Sequence, residues 1–340
     1  MSFGNRVTST TQDKMMAKVV DTILDGNVFA TRMLANAKKW SGEQMKWPVK
    51  YQKNSTGQAF SGYDTLPTNA SNTRIQIKFD PKYYQITASL PLDELSVNAT
   101  DAKVIDLMSV ELASSAQDMT DDIGALFYGT DTDNSKEFMG LQDIVDDGST
   151  KATYGEQARA TYGTLDATVT ASGGTLSLAK MRTLVNAVKS GQQKPTLGLC
   201  DESVFGYYEQ LLQPQERIVK NVPVIPKGNF EAGTGFSGLY YAGFPVLSDE
   251  KCTSGYLYFL NENFLNFYAN PMAMTKSIKY SAQDIVGNDY GSKVQGLGFS
   301  WSDWIIPSNA AAVISHIYLG GQLISENPKR QGVLTGISGV

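Results

Sequence analysis

Apolar residues recur at helical spacing from Thr11 to Asp25, where Met15, Met16, Val19, Val20, Ile23 and Leu24 form one stripe and Gly26 supplies the stop. Asn27 is placed to cap a second helix carrying Val28, Phe29, Met33 and Leu34. The period then changes. The stretch from Trp47 to Phe79 begins and ends like a β-strand, yet its middle, about twenty residues, is Ser, Thr, Asn, Gly and Pro that cannot pack. It continues through Asp80-Pro81 into Lys82 to Ser89, where Tyr84, Ile86 and Ala88 alternate with more polar neighbours. The pattern predicts a long antiparallel hairpin with an oversized polar tip.

Asn98 or Thr100 is an N-cap with Asp101 in the first turn, and Val104, Met108, Leu112, Ser115, Met119, Ile123 and Leu126 follow every three or four residues. This predicts one helix of nearly thirty residues, roughly 40 Å long. Its small residues Ala113, Ser114, Ser115 and Ala116 imply a close contact at its midpoint. Gly129 to Thr150 reads as a loop with short extended segments, and Lys151 to Gly174 is polar with weak alternation.

Ser177 caps a further helix that turns Leu178, Met181, Leu184, Val185 and Val188 inward and stops at Gly191. Pro195 to Cys200 is a short buried strand, and Asp201 starts a helix through Leu212. Pro214 to Gly235 is irregular. Leu239 to Leu247 and Tyr256 to Tyr268 are strand-like, separated by a turn over Ser248 to Gly255. This order implies a compact α/β or α+β unit from about 175 to 290. Val294 to Trp304 and Ala311 to Leu319 are strands that return to the sheet near the long helix, ahead of a Gly-rich tail. The first domain is therefore expected to be discontinuous.

Composition narrows the reading. With 340 residues and 41% apolar content, the chain supports one large or two ordinary domains. Thirty-four acidic residues against 29 basic ones give a net charge of -5, so no overall positive field draws it to nucleic acid. No apolar run suits a signal peptide or a membrane span, which makes a cytosolic product the expectation. Cys200 and Cys252 sit in apolar surroundings and are expected to be two buried free thiols.

A hydrolytic triad needs an imidazole, and the one histidine, His316, lies in an alternating strand where a structural role is expected. One His with two distant Cys cannot build a zinc site. GTGFSG at 233–238 matches a dinucleotide fingerprint but precedes a strand instead of a helix. In DTDNSK, 131–136, Lys136 takes the place where a calcium loop needs Gly. Asp121 with Asp122, and Asp146 with Asp147, match paired glycosidase acids only by adjacency, and neighbours on a helix point apart. A P-loop and a G-x-S-x-G elbow are absent, and the sequons at Asn54, Asn69 and Asn98 have no meaning without secretion. No catalytic residue, cofactor or metal is expected.

What remains is shape: an arm, a hairpin reaching past its own core, and one very long helix. Exposed strand edges and an apolar stripe are liabilities in a monomer and make sense when a neighbouring copy covers them. From ITASLPLDEL (86–95) through the long helix to FYG (127–129) and FMGL (138–141), the chain resembles the major capsid proteins of tailed bacteriophages. KPTLGLCDESVFGYYEQLLQ (194–213) and YAGFPVLSDEKCTSGYLYFLN (241–261) carry the resemblance through the second half.

The resemblance implies an α+β, Hong-Kong-97-type capsid fold. An N-terminal arm would occupy 1–45 and an extended-loop hairpin 46–90. The peripheral domain would take 91–174 and 291–340 with a spine helix at 100–130, and the axial domain 175–290. It further implies a non-enzymatic structural subunit that forms pentamers and hexamers of an icosahedral head enclosing double-stranded DNA without sequence-specific binding. Portal, scaffolding and decoration proteins would be its other partners, no membrane would be involved, and the virion, assembled in the host cytoplasm, its location. The loop over the adjacent subunit would contact it through Trp47, Lys50, Lys53, Gly57, Phe60, Gly62, Tyr63, Pro67 and Arg74. Lys46, Lys50 and Lys53 are loop lysines of the kind some members crosslink, and solvated lysines are the plainer reading. An encapsulin-like compartment shell and a carboxylate-dependent hydrolase are the alternatives.

Overall fold

The computed structural model describes residues 27–40, 42–69, 71–97, 101–131, 136–171, 173–212, 239–270, 276–277, 299–302 and 304–340. The stripe Met15 to Leu24, most of the calcium-like run, the stretch 214–235 and GTGFSG lie outside them.

The chain opens with α1 (Val28–Ala35) and β1 (Lys38–Lys39), then the hairpin strands β2 (Met45–Lys50) and β3 (Arg74–Phe79). β4 (Lys82–Pro91), α2 (Leu92–Val97) and the 28-residue α3 (Asp101–Tyr128) follow. Then come a single turn α4 (Leu141–Ile144), the small hairpin β5 (Thr153–Tyr154) and β6 (Gln157–Ala158), β7 (Thr168–Thr170) and β8 (Gly174–Thr175). The second half runs α5 (Leu178–Val188), β9 (Leu197–Cys200), α6 (Glu202–Leu212), β10 (Leu239–Tyr241), β11 (Phe244–Ser248), β12 (Leu257–Leu260) and β13 (Leu265–Ala269). β14 (Lys276–Ser277), β15 (Phe299–Trp301), the 14-residue β16 (Ala312–Ser325), β17 (Gly332–Leu334) and β18 (Ile337–Gly339) complete it.

Two sheets organise these strands. One runs β1-β13-β16-β15-β14, with β4 also on β16; the other runs β10-β11-β9-β12-β17-β7. α3 packs on β4 and β16, as expected of a return to the sheet beside the long helix. In the second sheet both faces are covered. Leu197, Leu199, Tyr258 and Leu260 face the main core, while Cys200, Val246, Leu257 and Phe259 face α5 and α6. Double burial is why β9 reads in sequence as an unbroken apolar run instead of alternating. Ser177 caps α5 as expected, its Oγ accepting from the Lys180 N–H at 3.3 Å. Both cysteines are buried and free, and burial pushes both thiols up.

Several expectations need correction. Asn27 precedes α1 but does not cap it; its amide donates to Asp121 at 3.3 Å. The buried carboxylate of Asp249 accepts the Phe29 N–H instead, at 2.9 Å across 220 residues. The contact expected at the midpoint of α3 is made by Ser115, which is buried, and Ala116, which packs on the core, while Ser114 is exposed; a closer approach falls at Gly124, where a Cβ would stand 2.7 Å from Asn27 Oδ1. The stripe of α1 finds its partner inside the subunit: Phe29 packs edge-on against Phe127 with ring centroids 6.0 Å apart.

Two of the strands expected in the second half are each two, whereas Ala311 to Leu319 lies almost wholly in the single strand β16. Leu239 to Ser248 is the hairpin β10–β11, turned by Ala242 and Gly243 at φ 49° and 89°. Tyr256 to Tyr268 splits into β12 and β13, which belong to different sheets. β7 and β17, outside 175–290, sit in the second sheet, and β13, inside it, sits in the first. Sheet membership therefore crosses the domain bounds expected from sequence. The Gly-rich stretch after Leu319 is the buried half of β16, not a tail: a Cβ on Gly321 would lie 2.4 Å from the Tyr268 carbonyl oxygen.

Candidate intersubunit surface

β2 and β3 pair in a fixed register, Met45 with Phe79, Trp47 with Ile77 and Val49 with Ile75. Side chains alternate across a strand, so these six share the inward face. Met45, Ile77 and Phe79 are buried, and the Trp47 ring stands edge-on to Phe79 at 6.1 Å and to Tyr268 at 5.1 Å. Behind β3 the β5–β6 turn approaches so closely that a Cβ on Gly155 would meet Ile77 at 2.7 Å. Tyr51 closes the base, edge-on to Tyr162 at 5.0 Å, with its hydroxyl donating to the Asn72 carbonyl at 2.8 Å.

Beyond Tyr51 and Thr73 the chain stops packing on its own subunit. Described hydrogen bonds in the tip are local: Asn54 Oδ1 accepts from the Thr56 N–H at 3.0 Å, Gln58 donates to the Thr65 carbonyl at 3.0 Å, and Asp64 accepts from the Ser61 N–H at 2.7 Å. The limbs 55–58 and 67–71 enclose an open concavity of about 330 Å³. Phe60, Tyr63 and Leu66 are 67%, 107% and 53% exposed, so three large apolar side chains stand in solvent on one loop.

Of the residues expected to face a neighbour, Lys50, Lys53, Gly57, Phe60, Gly62, Tyr63, Pro67 and Arg74 are exposed. Beyond the adjoining residues, no atom lies within 4 Å of a Cβ placed on Gly57 or Gly62. Trp47 is the exception, since its ring is engaged with Phe79 and Tyr268 of its own subunit. Leu66 is a further exposed apolar group, and its signal in the sequence is a large side chain inside a polar run.

The carboxylates are occupied structurally. Asp121 accepts from Lys251 Nζ at 2.8 Å, and that bond holds its carboxyl below the usual range. Asp122 points elsewhere and accepts from the Tyr84 hydroxyl at 2.8 Å; burial, then Asp122, pushes that phenol up to about 12. Burial would raise Asp146, but the N–H groups of Lys151, Thr150 and Gly148 and the Ser149 hydroxyl outweigh it and bring its pKa down. Asp147 is exposed. Beside them the buried Arg159 guanidinium donates to the carbonyls of Asp143, Asp146 and Leu165 and lies over the Tyr154 ring at 5.0 Å. His316 joins two strands: its Nδ1 lies 2.9 Å from Thr87 Oγ1, and its N–H donates to Ser302 Oγ at 2.9 Å. No group of three or more His, Cys, Asp or Glu among the described residues is arranged to hold a metal ion.

No family model matches the chain, and no curated protein matches it. Solved structures do. The cyanophage A-1(L) capsid subunit superposes with a TM-score of 0.64 at 14% identity, covering 92% of this chain and 93% of its own. The fold is that of a phage capsid subunit. The capsid of Myoviridae phage XM1 matches with a TM-score of 0.53 at 12% identity over 92% of both chains. The holo-SrpI encapsulin complex of Synechococcus elongatus matches at 0.56 with 10% identity, over 91% of this chain and 86% of that one. The shared architecture is therefore one used by shells, and among the described residues no helix is long and apolar enough to cross a membrane.

Proposed function

We propose that this chain is the major capsid subunit of a tailed phage, joining through pentamers and hexamers into a closed icosahedral head around double-stranded DNA. The observation that carries this reading is the hairpin tip: Phe60, Tyr63 and Leu66 stand exposed on a loop whose base is firmly packed, in a chain with a shell fold. Burying them against the next copy gives each contact a modest apolar gain, repeated around a symmetric assembly. In this reading the segment 46–90 is the extended loop, 1–45 the N-terminal arm and α3 the spine of the peripheral domain. The unit around the second sheet is the axial domain at the capsomer centre. A portal, a scaffolding protein and decoration proteins are its partners, and the virion is where it acts.

Deleting Ser55 to Asn72 tests the assignment. The subunit is expected to keep its circular dichroism and unfolding midpoint, because the tip makes only local bonds, while closed particles disappear from light scattering and negative-stain images. Normal shells from the deletion would sink the loop assignment. The likeness to an encapsulin keeps a compartment shell as the second reading. The contents of purified particles separate the two: DNA supports a phage head, and a protein cargo without DNA supports a compartment.

A further inference from the structure

Just past the end of α3, a polar cradle holds an amine against a carboxyl group. Lys151 Nζ donates to Asp131 Oδ1, and the two side chains are only 18% and 15% exposed. Each backbone is fixed by its own buried carboxylate. Asp143 accepts the Asp131 N–H at 2.7 Å through one oxygen and the Thr130 hydroxyl at 2.6 Å through the other. Asp146 accepts the Lys151 N–H at 3.0 Å. Arg159 in turn donates to the carbonyls of both Asp143 and Asp146, tying the two supports to one guanidinium.

Enclosure sets this pair apart. In each of the other described lysine–carboxylate pairs, one partner is about half exposed. Water favours separated ions over an amide, and that preference weakens where two charges must be kept without their hydration. A lysine shielded from water in this way is a stronger nucleophile than one in solvent. Asp143 completes the site: burial pushes its carboxyl up, and the charges of Lys151 and Asp131 both bear on it.

We infer that Lys151 and Asp131 condense into an isopeptide bond within one subunit. One proton passes from the Lys151 ammonium to the Asp131 carboxylate, leaving a neutral amine beside a carboxylic acid. Nζ then attacks Cγ. The N–C bond forms, the bond from Cγ to the hydroxyl breaks, and that hydroxyl departs as water with a second proton from the nitrogen. The two opposite charges disappear into a neutral amide, and no oxidant, reductant or co-reactant is consumed. Asp143 and Asp146 are positioning residues that hold the reacting atoms in register. The product is a covalent clasp around the loop that carries Gly140 past Gly129, in a chain whose two cysteines are unpaired. The reaction needs no second copy, so the inference stands apart from the shell reading, and the hairpin lysines Lys46, Lys50 and Lys53 take no part in it.

Intact-mass spectrometry of the full chain tests it. Wild type is expected to be lighter than its sequence by one water molecule, with Lys151 joined to Asp131 in tandem spectra of a digest. Lys151→Arg keeps the positive charge but has no amine to condense. It is expected at full mass and, with the loop open in the unfolded chain, to melt several degrees lower. Asp131→Ala gives the same full mass and keeps the result readable if arginine disturbs the cradle. Asp143→Asn leaves both reacting groups in place and is expected to slow the loss of water about tenfold in newly synthesised protein, with Asp143→Glu recovering part of the rate. Wild type at full mass overturns the inference. So does a loss of water that persists in Lys151→Arg and Asp131→Ala, which would place it elsewhere, as in a succinimide at Asp147–Gly148. An Asp143→Asn rate equal to that of wild type overturns the positioning role of Asp143.

Discussion

The base and the tip of one hairpin obey opposite rules. At the base, residues 45–51 and 73–79 alternate strictly, bury Met45, Ile77 and Phe79, and lock Trp47 and Tyr51 against rings from distant segments. In the tip, the described residues of 52–72 turn Phe60 and Tyr63 outward and bond only within the hairpin. The same chain thus carries side chains of similar size in two settings, one set buried on folding and one left in solvent, which on the proposed shell reading is buried on association. Burial within the subunit identifies the first group and says nothing about the second.

Substitutions can sharpen that contrast. Phe79→Ala removes a buried ring packed 5.0 Å from Tyr154 and is expected to cost the isolated subunit about 3–5 kcal/mol in urea unfolding. Gly140→Ala comes next, at about 1–3 kcal/mol, because the new Cβ would fall 2.2 Å from the Gly129 carbonyl oxygen.

Asp146→Asn should cost about 1–2 kcal/mol at neutral pH, since an amide accepts fewer of its donors. Its pH dependence has a defined sign. The folded carboxyl has a depressed pKa, so its contribution is complete above the unfolded value near 3.8 and is lost as pH falls through the folded one. Wild type is expected to lose stability on acidification in that range, and the variant to lose less; parallel curves would contradict the account.

Smallest for the subunit, Phe60→Ser with Tyr63→Ser is expected to shift unfolding by no more than about 0.5 kcal/mol while particle yield collapses. A large loss of subunit stability from this pair would erase the distinction between base and tip.

Much of the fold is legible in the sequence where one periodicity rules. The hairpin, α3, the Ser177 cap and the inward face of α5 follow from spacing and capping chemistry alone. Legibility fails where pairing is decided at long range. β9 is buried on both faces, so its run does not disclose its neighbours, and the short links inside 239–268 conceal changes of strand and sheet. Asn27 loses its capping role to Asp249, which no local pattern announces. Gly129 and Gly140 are visible as fragments of FYG and FMGL, but the reason for them, a backbone passing within reach of another, needs coordinates. In the candidate site, exposure of the tip follows from its polarity. Trp47 is half-buried against Phe79 and Tyr268, a contact the sequence does not announce, because an aromatic at a strand end looks alike whether its partner ring is near or on another copy.

β16 and β4 pair without interruption from Ala312 opposite Pro91 to Gly321 opposite Lys82. Antiparallel hydrogen bonds lie perpendicular to the strands, so a pull along this axis stresses the whole ladder together instead of opening it one rung at a time. The buried end of β16 is fastened to β13 as well, through Leu265 opposite Ser325 to Ala269 opposite Gly321. The subunit therefore contains a stiff strut in shear geometry, fastened on both sides at its buried end, and under the proposed shell reading it is the element suited to carrying tension across the subunit.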